Sequence, residues 1–315
     1  MSSTPTDNSR MMAPSSAPGW RALPPEYAIP ERAPSLEEAR AYTSRLARSH
    51  YENFSVVTWL LPKHLPQHFY NIYAYCRISD DLGDEVGDKQ QSLLLLDEWE
   101  AELKQCFAGA PRHPVFVALQ HTVREFDIPQ HEFSDLLIAF RQDQTVTRFP
   151  TFEDLLGYCH YSANPVGHLV LYLGGYRDAE RQQLSDYTCT ALQLANFWQD
   201  VAVDYTKGRV YLPLDSMGKF GVSESGIANR RPTPQFRALL KFEVERAREW
   251  FERGLPLAKI VDRSLALDIE LFSRGGLAIL DAIERQDYDV LTHRPVISKP
   301  RKLWLVMRAA LGQLL

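Results

Sequence analysis

The sequence predicts an all-α fold, a single large helical bundle around a central cavity, and three observations lead to that prediction. Helical periodicity recurs along most of the chain, and no stretch keeps the period-two alternation of a strand. Pro and Gly are concentrated in short linkers between the helical segments. Two polar stripes lie in otherwise apolar helical segments, as is typical of helices that face a wet cavity. With 315 residues, 45% of them hydrophobic, the chain can bury a large core.

The Pro- and Gly-containing linkers divide the chain into its predicted elements. Residues 1–34 are rich in Ser, Pro and Ala and predict a disordered or loosely docked tail, so the all-α domain is expected to span 35–315. Ser35 and Glu38 have the spacing of a capping box at its first helix. Gly and Pro in 205–231 predict a long loop or flap. The predicted helices are 36–49, 51–61, 66–86, 90–108, 113–125, 130–146, 151–174, 179–204, 235–255, 264–287 and 300–312.

Composition limits the class of partner and the compartment. The net charge of −5 and the pI near 6.0 do not favour nucleic acid as a partner. The four cysteines form no CxxC pair, which favours reduced thiols in a cytoplasm over a disulfide framework or a zinc site. No apolar run approaches the roughly 20 residues that span a bilayer, and the N-terminus lacks the apolar core of a secretory signal.

The first polar stripe ends in a cluster of acids. Its members recur at spacings of three and four residues and therefore share one helix face; they are Tyr73, Arg77, Asp80, Asp81 and Asp84. An exposed helix end with solvated acids is the alternative interpretation. Arg77 is equally well placed as an intrahelical partner of Asp81.

The second stripe repeats this design in a separate helix. Gln193, Asn196, Asp200 and Asp204 follow at spacings of three, four and four residues. A surface stripe near a helix C-terminus is the alternative, but acids there oppose the helix dipole. The two amides are alternatively satisfied groups of the core.

Carboxylates so close together repel one another unless cations or basic groups neutralise them. Mg²⁺ prefers oxygen ligands and is commonly held by one or two carboxylates together with substrate phosphates. Mg²⁺ and Arg77 would stabilise the charge that develops as a diphosphate leaves. A carbocation left behind requires an aromatic-lined pocket, although each aromatic is also a candidate for core packing. The aromatic candidates are Phe54, Tyr73, Tyr158, Tyr161 and Phe197.

The residues around both stripes resemble a known family. The run YAYCRISDDLGDEVGD resembles the first aspartate-rich motif of squalene and phytoene synthases, and LQLANFWQDVAVDYTKGRVYLP resembles their second. The resemblance covers about residues 40–300 and implies the isoprenoid synthase fold. Three local features resemble the bacterial hydroxysqualene synthase branch of hopanoid biosynthesis; they are Glu52-Asn53-Phe54, Asn164-Pro165-Val166-Gly167 and Phe197-Trp198-Gln199-Asp200.

The resemblance also implies roles for individual residues. The residues implied in catalysis are Asp80, Asp84, Asp200, Asp204 and Tyr73. Those implied as ligands of Mg²⁺ are Asp80, Asp81, Asp84, Asn196, Asp200 and Asp204. Those implied in substrate binding are His50, Phe54, Tyr73, Arg77, Tyr161, Gln193, Asn196, Arg209, Tyr211 and Arg294.

The expected reaction is the Mg²⁺-dependent conversion of presqualene diphosphate and water to hydroxysqualene and diphosphate, without a nicotinamide cofactor. Tyr73, Asn53 and Gln199 are the alternatives for positioning the water. Many relatives carry a basic residue in place of Gln199 and an acid in place of Tyr205. The alternative function is a head-to-head prenyl synthase that makes presqualene diphosphate, squalene or phytoene. A more distant alternative is a non-catalytic scaffold.

The C-terminal run KPRKLWLVMRAALGQLL combines basic residues with an apolar face. It is compatible with a helix that lies on the inner face of the membrane, and equally with a last core helix. The prenyl diphosphate substrate is the expected partner, and contact with other enzymes of the squalene pathway stays open.

Overall fold

A computed structural model describes residue 24, residues 27–50 and residues 64–297, and its regular elements are helical. Within those ranges, extended backbone pairs at one isolated bridge, between Arg148 and Val210. The predicted all-α class is confirmed. The predicted helices 51–61 and 300–312 lie outside the described residues. In the described part of the chain, every helix is too short or too polar to cross a membrane.

Local signals set most helix ends. Ser35 and Glu38 form the predicted capping box, with the Glu38 amide 3.3 Å from the Ser35 hydroxyl. Asp178 caps the longest helix by accepting from the Arg181 amide. In chain order the helices are α1 Leu36–His50, α2 Pro66–Asp84, α3 Lys89–Ala108, α4 Pro114–Phe126, α5 His131–Gln142, α6 Phe152–Ser162, α7 Asn164–Leu173, α8 Ala179–Thr206, α9 Leu214–Phe220, α10 Glu224–Ala228, α11 Pro234–Gly254 and α12 Arg263–Arg285, with a 3₁₀ turn at Leu255–Lys259.

Two predicted segments differ from the structure. The single helix predicted over 151–174 is two helices, because the backbone breaks at Ala163 (φ −124°, ψ −44°) just ahead of Pro165, and a proline inside a helix lacks an N–H and clashes with the preceding turn. The loop predicted over 205–231 contains α9 and α10. These helices have seven and five residues, too few to produce a helical period that can be read from sequence.

The 28-residue helix α8 is the central element of the C-terminal half. It packs against α6, α7, α11 and α12. Its approach to α7 is close at Gly167, where a Cβ atom would lie 2.2 Å from the Ser185 hydroxyl. A side chain at that position would therefore require the Ser185 and Cys189 side chains, or the two helices, to shift.

Two hydrophobic cores surround the two stripe-bearing helices. The core around α2 contains Tyr75, Trp99 and Phe116, and the core around α8 contains Trp198 and Phe251, all fully buried or nearly so. The apolar sides of α2 and α8 are thereby committed to separate cores. This packing leaves the polar stripe of each helix directed away from its own core.

Candidate active site

The first wall of the site is the C-terminal half of α2. Asp81 is buried, and its carboxylate lies 2.5 Å from Arg77 Nη2 and 2.6 Å from the Tyr27 hydroxyl, which donates to it. Tyr27 is itself buried, although it belongs to the segment that the sequence assigns to a tail. The Asp81 carboxylate is therefore held by a cation and a phenol.

The other two acids of this stripe are in different surroundings. About half of the Asp80 side chain is exposed, and partial burial, followed by repulsion from Asp84, raises the pKa of Asp80 to about 6. Asp84 accepts from Arg209 at 2.7 and 3.2 Å and lies 3.6 Å from Lys207 Nζ. Burial opposes the shift, but Arg209 and Lys207 hold the pKa of Asp84 below its usual range.

The second wall is the C-terminal half of α8. Asp200 accepts a hydrogen bond from Arg294 Nη2 at 2.9 Å and a second, shorter one from Arg294 Nε. Burial and then repulsion from Asp200 raise the pKa of Asp204 to about 7. Asn196 is exposed one turn before Asp200. This wall thus carries one ion-paired carboxylate and one carboxylate whose pKa is raised.

The two walls meet at one site. Arg209 follows α8 directly, yet its guanidinium binds Asp84 on α2 in a bidentate ion pair. Asp204 is close enough to Asp84 for the charge of Asp84 to contribute to its raised pKa. The acids of both stripes and the bases after α8 therefore form one electrostatic cluster, in which acids are in excess.

The segment after α8 is fastened to the loop before α6. Gly208 takes a left-handed conformation (φ +79°) that glycine adopts without strain, and its carbonyl accepts from Arg148 at 2.6 Å. Arg148 also makes a bidentate pair with Glu224, at 2.7 Å for both contacts. The Val210 amide donates to the Thr147 carbonyl at 3.0 Å. These contacts fix the position of Arg209 opposite α2.

An aromatic wall adjoins the acids. Tyr211 stacks on Phe197 with ring centroids 3.8 Å apart and planes 9° apart, and it also stacks on Phe149 at 5.7 Å. Tyr158 packs against both Phe197 and Tyr211. Tyr161 is half-buried and contacts the His160 ring. Aromatic faces of this kind attract cations.

Asp143 is an acid of the site that sequence reasoning missed. It accepts from the Tyr158 hydroxyl at 3.2 Å, and burial raises its pKa to about 7 although Arg209 and Tyr158 oppose the shift. The charges of Asp84 and Asp80 contribute to the same shift. Asp143 follows α5 directly and has no acidic neighbour at helical spacing, so no local pattern indicates its role.

The remaining predicted residues are placed as follows. Tyr73 is half-buried near Arg77, and Gln193 is half-buried on α8. Phe54, Asn53 and the side chain of His50 lie outside the described residues. Gln199, one alternative for positioning the water, is buried, and its amide donates to the Pro295 carbonyl at 2.6 Å. Gln199 thereby anchors the segment that carries Arg294.

A separate cluster brings nitrogen donors together at the far end of α2. One ligand atom each from His68, His121 and Glu125 lies within 4.8 Å of the others. Imidazole ligands suit zinc better than Mg²⁺. Arg40 Nη2 lies 3.2 Å from His121 Nε2, so a guanidinium charge and a hydrogen bond already occupy the second nitrogen of that ring. The cluster is a hydrogen-bonded network beside α1.

Comparison with known proteins defines the class. The family model for squalene/phytoene synthase matches residues 47–301, and the chain belongs to this family. It is 32% identical to 15-cis-phytoene synthase from Synechococcus elongatus over 89% of this chain and 93% of that protein. Its fold is similar to the crystal structure of squalene synthase HpnC from Alicyclobacillus acidocaldarius, with a TM-score of 0.77 over 81% of this chain and 96% of that chain. The sequences of these two chains are 46% identical. A dehydrosqualene synthase in complex with ligand is 26% identical, with a TM-score of 0.80 over 88% and 97%. The predicted isoprenoid synthase fold is confirmed.

Proposed function

We propose that this protein converts presqualene diphosphate and water to hydroxysqualene and diphosphate in squalene and hopanoid biosynthesis. The observation that supports the proposal is the ion pair between Arg209, which follows α8, and Asp84 of α2, because it brings basic groups close to the carboxylates of both stripes. The 46% identity to squalene synthase HpnC supports the squalene branch over the phytoene branch. The 32% identity to phytoene synthase is lower at similar coverage.

The donor set suits Mg²⁺. Asp80, Asp84, Asp200 and Asp204 offer oxygen ligands on two facing walls. Burial, followed by repulsion from a neighbouring carboxylate, raises the pKa values of Asp80 and Asp204. These four residues would hold the metal, and Asn196 would assist. Bound Mg²⁺ supplies neutralisation of the diphosphate charge. Asp81 is the weakest candidate ligand because Arg77 and Tyr27 already bind it.

The bases of the site bind the leaving group. Arg209, Lys207 and Arg294 pair with acids of the two stripes, and each can exchange its carboxylate for a diphosphate oxygen. Guanidinium groups suit this exchange because their paired N–H groups match carboxylate and phosphate alike. As the C–O bond breaks, both bonding electrons leave with the diphosphate, and these cations stabilise its growing charge.

The aromatic wall stabilises the carbocation that remains. The face of the Phe197–Tyr211 stack would lie beside the cyclopropylcarbinyl cation and its rearranged product. Water then adds to the rearranged cation through its oxygen and loses one proton, giving the alcohol. Tyr73 is the described candidate for holding that water, since it lies on the α2 stripe near Arg77. No reductant enters this balance.

The alternative is a head-to-head synthase that joins two prenyl diphosphates, which the phytoene synthase relatives favour. A non-catalytic scaffold is disfavoured because both acidic stripes are intact. Product analysis separates the three. Purified protein with Mg²⁺ is incubated with presqualene, farnesyl or geranylgeranyl diphosphate, with and without NADPH, and the lipids are identified.

The proposal expects hydroxysqualene from presqualene diphosphate, with NADPH making no difference. Phytoene from geranylgeranyl diphosphate, or product from farnesyl diphosphate alone, would overturn it in favour of the head-to-head alternative. Lack of turnover of all three substrates would favour the scaffold.

The apolar product must pass from the enzyme into a membrane. We propose that residues 303–315 bind the cytoplasmic face of that membrane. This segment lies outside the described residues. Deleting it should abolish co-sedimentation with anionic lipid vesicles and leave the thermal transition of the protein unchanged. Unchanged co-sedimentation would rule out this anchor. Contact with other enzymes of the squalene pathway stays a prediction from the family resemblance.

A further inference from the structure

An apolar cavity lies between α7, α8 and α12, away from the acids. It has a volume of about 150 Å³. Val166 and Val170 of α7, Leu192 of α8 and Ile269 of α12 line it. A cavity with such walls takes up hydrocarbon readily because little polar surface loses its water.

The cavity continues the wall that carries the acids. Cys189 lines it, and Cys189, Gln193, Asn196 and Asp200 follow one another at spacings of four, three and four residues on one face of α8. At the rise of an α-helix, Cys189 lies roughly 16 Å before Asp200. An apolar chain whose diphosphate binds at the acids would therefore extend along this face toward the cavity.

The cavity has one feature that does not suit a hydrocarbon. Asp268 lines it, is only 2% exposed, and has no hydrogen-bond partner at either carboxyl oxygen among the described residues. Burial alone raises the pKa of Asp268 to about 7. The nearby hydroxyls are committed elsewhere, since Ser185 lies 3.9 Å from the Cys189 thiol and Thr188 donates to the Leu184 carbonyl at 3.4 Å.

Native proteins rarely leave both oxygens of a buried carboxyl group unpaired. The unpaired carboxyl group of Asp268 therefore suggests a functional role for this residue. A hydrocarbon that filled the cavity as far as Asp268 would leave the carboxyl dry and unpaired, which is costly. A chain that ended earlier would leave room for water on the carboxyl, and a cavity water requires such polar partners.

We propose that Asp268 is a specificity-determining residue that limits the length of the prenyl chain, so that the site accepts chains of farnesyl length and disfavours those one isoprene unit longer. This inference rests on the proposed function for the position of the diphosphate. It adds a physical reason for selecting the squalene over the phytoene series, which the acidic stripes do not provide.

The experiment measures binding, so that it does not depend on turnover. Farnesyl and geranylgeranyl S-thiolodiphosphate, which resist ionisation, are titrated with Mg²⁺ into the wild type, Asp268→Leu and Asp268→Asn by calorimetry. Asp281→Leu is the matched control, because it makes the same change on α12 at a residue that pairs with Arg248 instead of lining the cavity. Thermal transitions verify that each variant is folded.

The wild type should prefer the farnesyl analogue by about tenfold or more, the scale expected when a buried polar group loses its partners. Asp268→Leu should remove that preference by tightening geranylgeranyl binding. Asp268→Asn should keep the preference for the farnesyl analogue, because its amide still requires hydrogen-bond partners. The Asp281→Leu control should keep that preference as well. An unchanged preference in Asp268→Leu, or equal affinity of the wild type for both analogues, would overturn the inference.

The proposed function fails in a different way. If presqualene diphosphate gave no hydroxysqualene while the wild type still preferred the farnesyl analogue and Asp268→Leu removed the preference, chain selection at Asp268 would stand and the reaction assignment would fall.

Discussion

At the scale of single residues, the site is a balance of charge between two helices. Asp84 and Asp200 are paired with arginines, whereas Asp80 and Asp204 retain raised pKa values of about 6 and about 7. Spacings of three and four residues were sufficient to predict both stripes, because one helix face is a local property. Asp143, Tyr27 and Asp268 could not be predicted in this way, since their partners or cavity lie on other elements.

The first prediction concerns Asp80 and Asp204, the two stripe acids whose pKa values are raised. Asp80→Asn and Asp204→Asn should each lower the rate of diphosphate release about 10²-fold or more, because each removes charge that would bind metal opposite the leaving group. Inorganic diphosphate is measured by a coupled assay at several Mg²⁺ concentrations. Asp281→Asn, on the surface of α12, is the control and should keep full activity. Retained activity in both active-site variants would contradict the assignment.

The second prediction concerns Gln199. Because its amide holds the Pro295 carbonyl beside Arg294, Gln199→Leu should raise KM about tenfold by releasing Arg294, as should Arg294→Gln. If the two residues act as one unit, the double variant should be no worse than either single variant. Steady-state kinetics of all three variants measures this coupling. Additive effects would mean that Gln199 acts independently, for example by holding water.

At the scale of elements, His168 joins the helices α5, α7 and α8. Its imidazole on α7 contacts Glu132 on α5 at 3.0 Å and Asp186 on α8 at 2.8 Å. Burial disfavours the charged ring, but the two carboxylates outweigh it and raise the pKa of His168 to about 9. Helical spacings in the sequence do not reveal this network, because Glu132 and Asp186 lie 36 and 18 residues away from His168.

The third prediction follows from this pKa. The folded protein holds the His168 proton more tightly than the unfolded chain, so the stabilisation is complete below about pH 6.5 and is lost as the pH rises through about 9. The free energy of unfolding should fall by roughly 3 kcal/mol across this interval through His168. Urea unfolding at several pH values measures it. His168→Gln should flatten the slope, and equal slopes for the two proteins would contradict the prediction.

Helix boundaries show which elements a sequence can predict. Most long helices were predicted because periodicity and caps are local. The break at Ala163 was missed although Pro165 signals it, and α9 and α10 were missed because helices of seven and five residues carry almost no period. The segment around Gly208 was predicted as a flap, and the contacts that fasten it come from Arg148, which is remote in sequence.

At the scale of the whole molecule, two separate cores each present one acidic helix to a shared site. Neither stripe alone could reveal that they meet; Arg209 shows it by crossing from the end of α8 to α2. In the prediction from sequence, the facing arrangement of the two helices came from the family resemblance. The choice of product depends on features beyond the stripes, of which Asp268 and the aromatic wall are the described candidates.

In the proposed reaction, the site breaks the carbon–oxygen bond of presqualene diphosphate, and water then captures the carbocation. The most direct measurement is the reaction with Mg²⁺ in H₂¹⁸O, followed by mass spectrometry of the alcohol and the released diphosphate. This mechanism predicts hydroxysqualene that carries one ¹⁸O and diphosphate that carries none. Unlabelled alcohol together with ¹⁸O in the diphosphate would show hydrolysis at phosphorus and would contradict this mechanism.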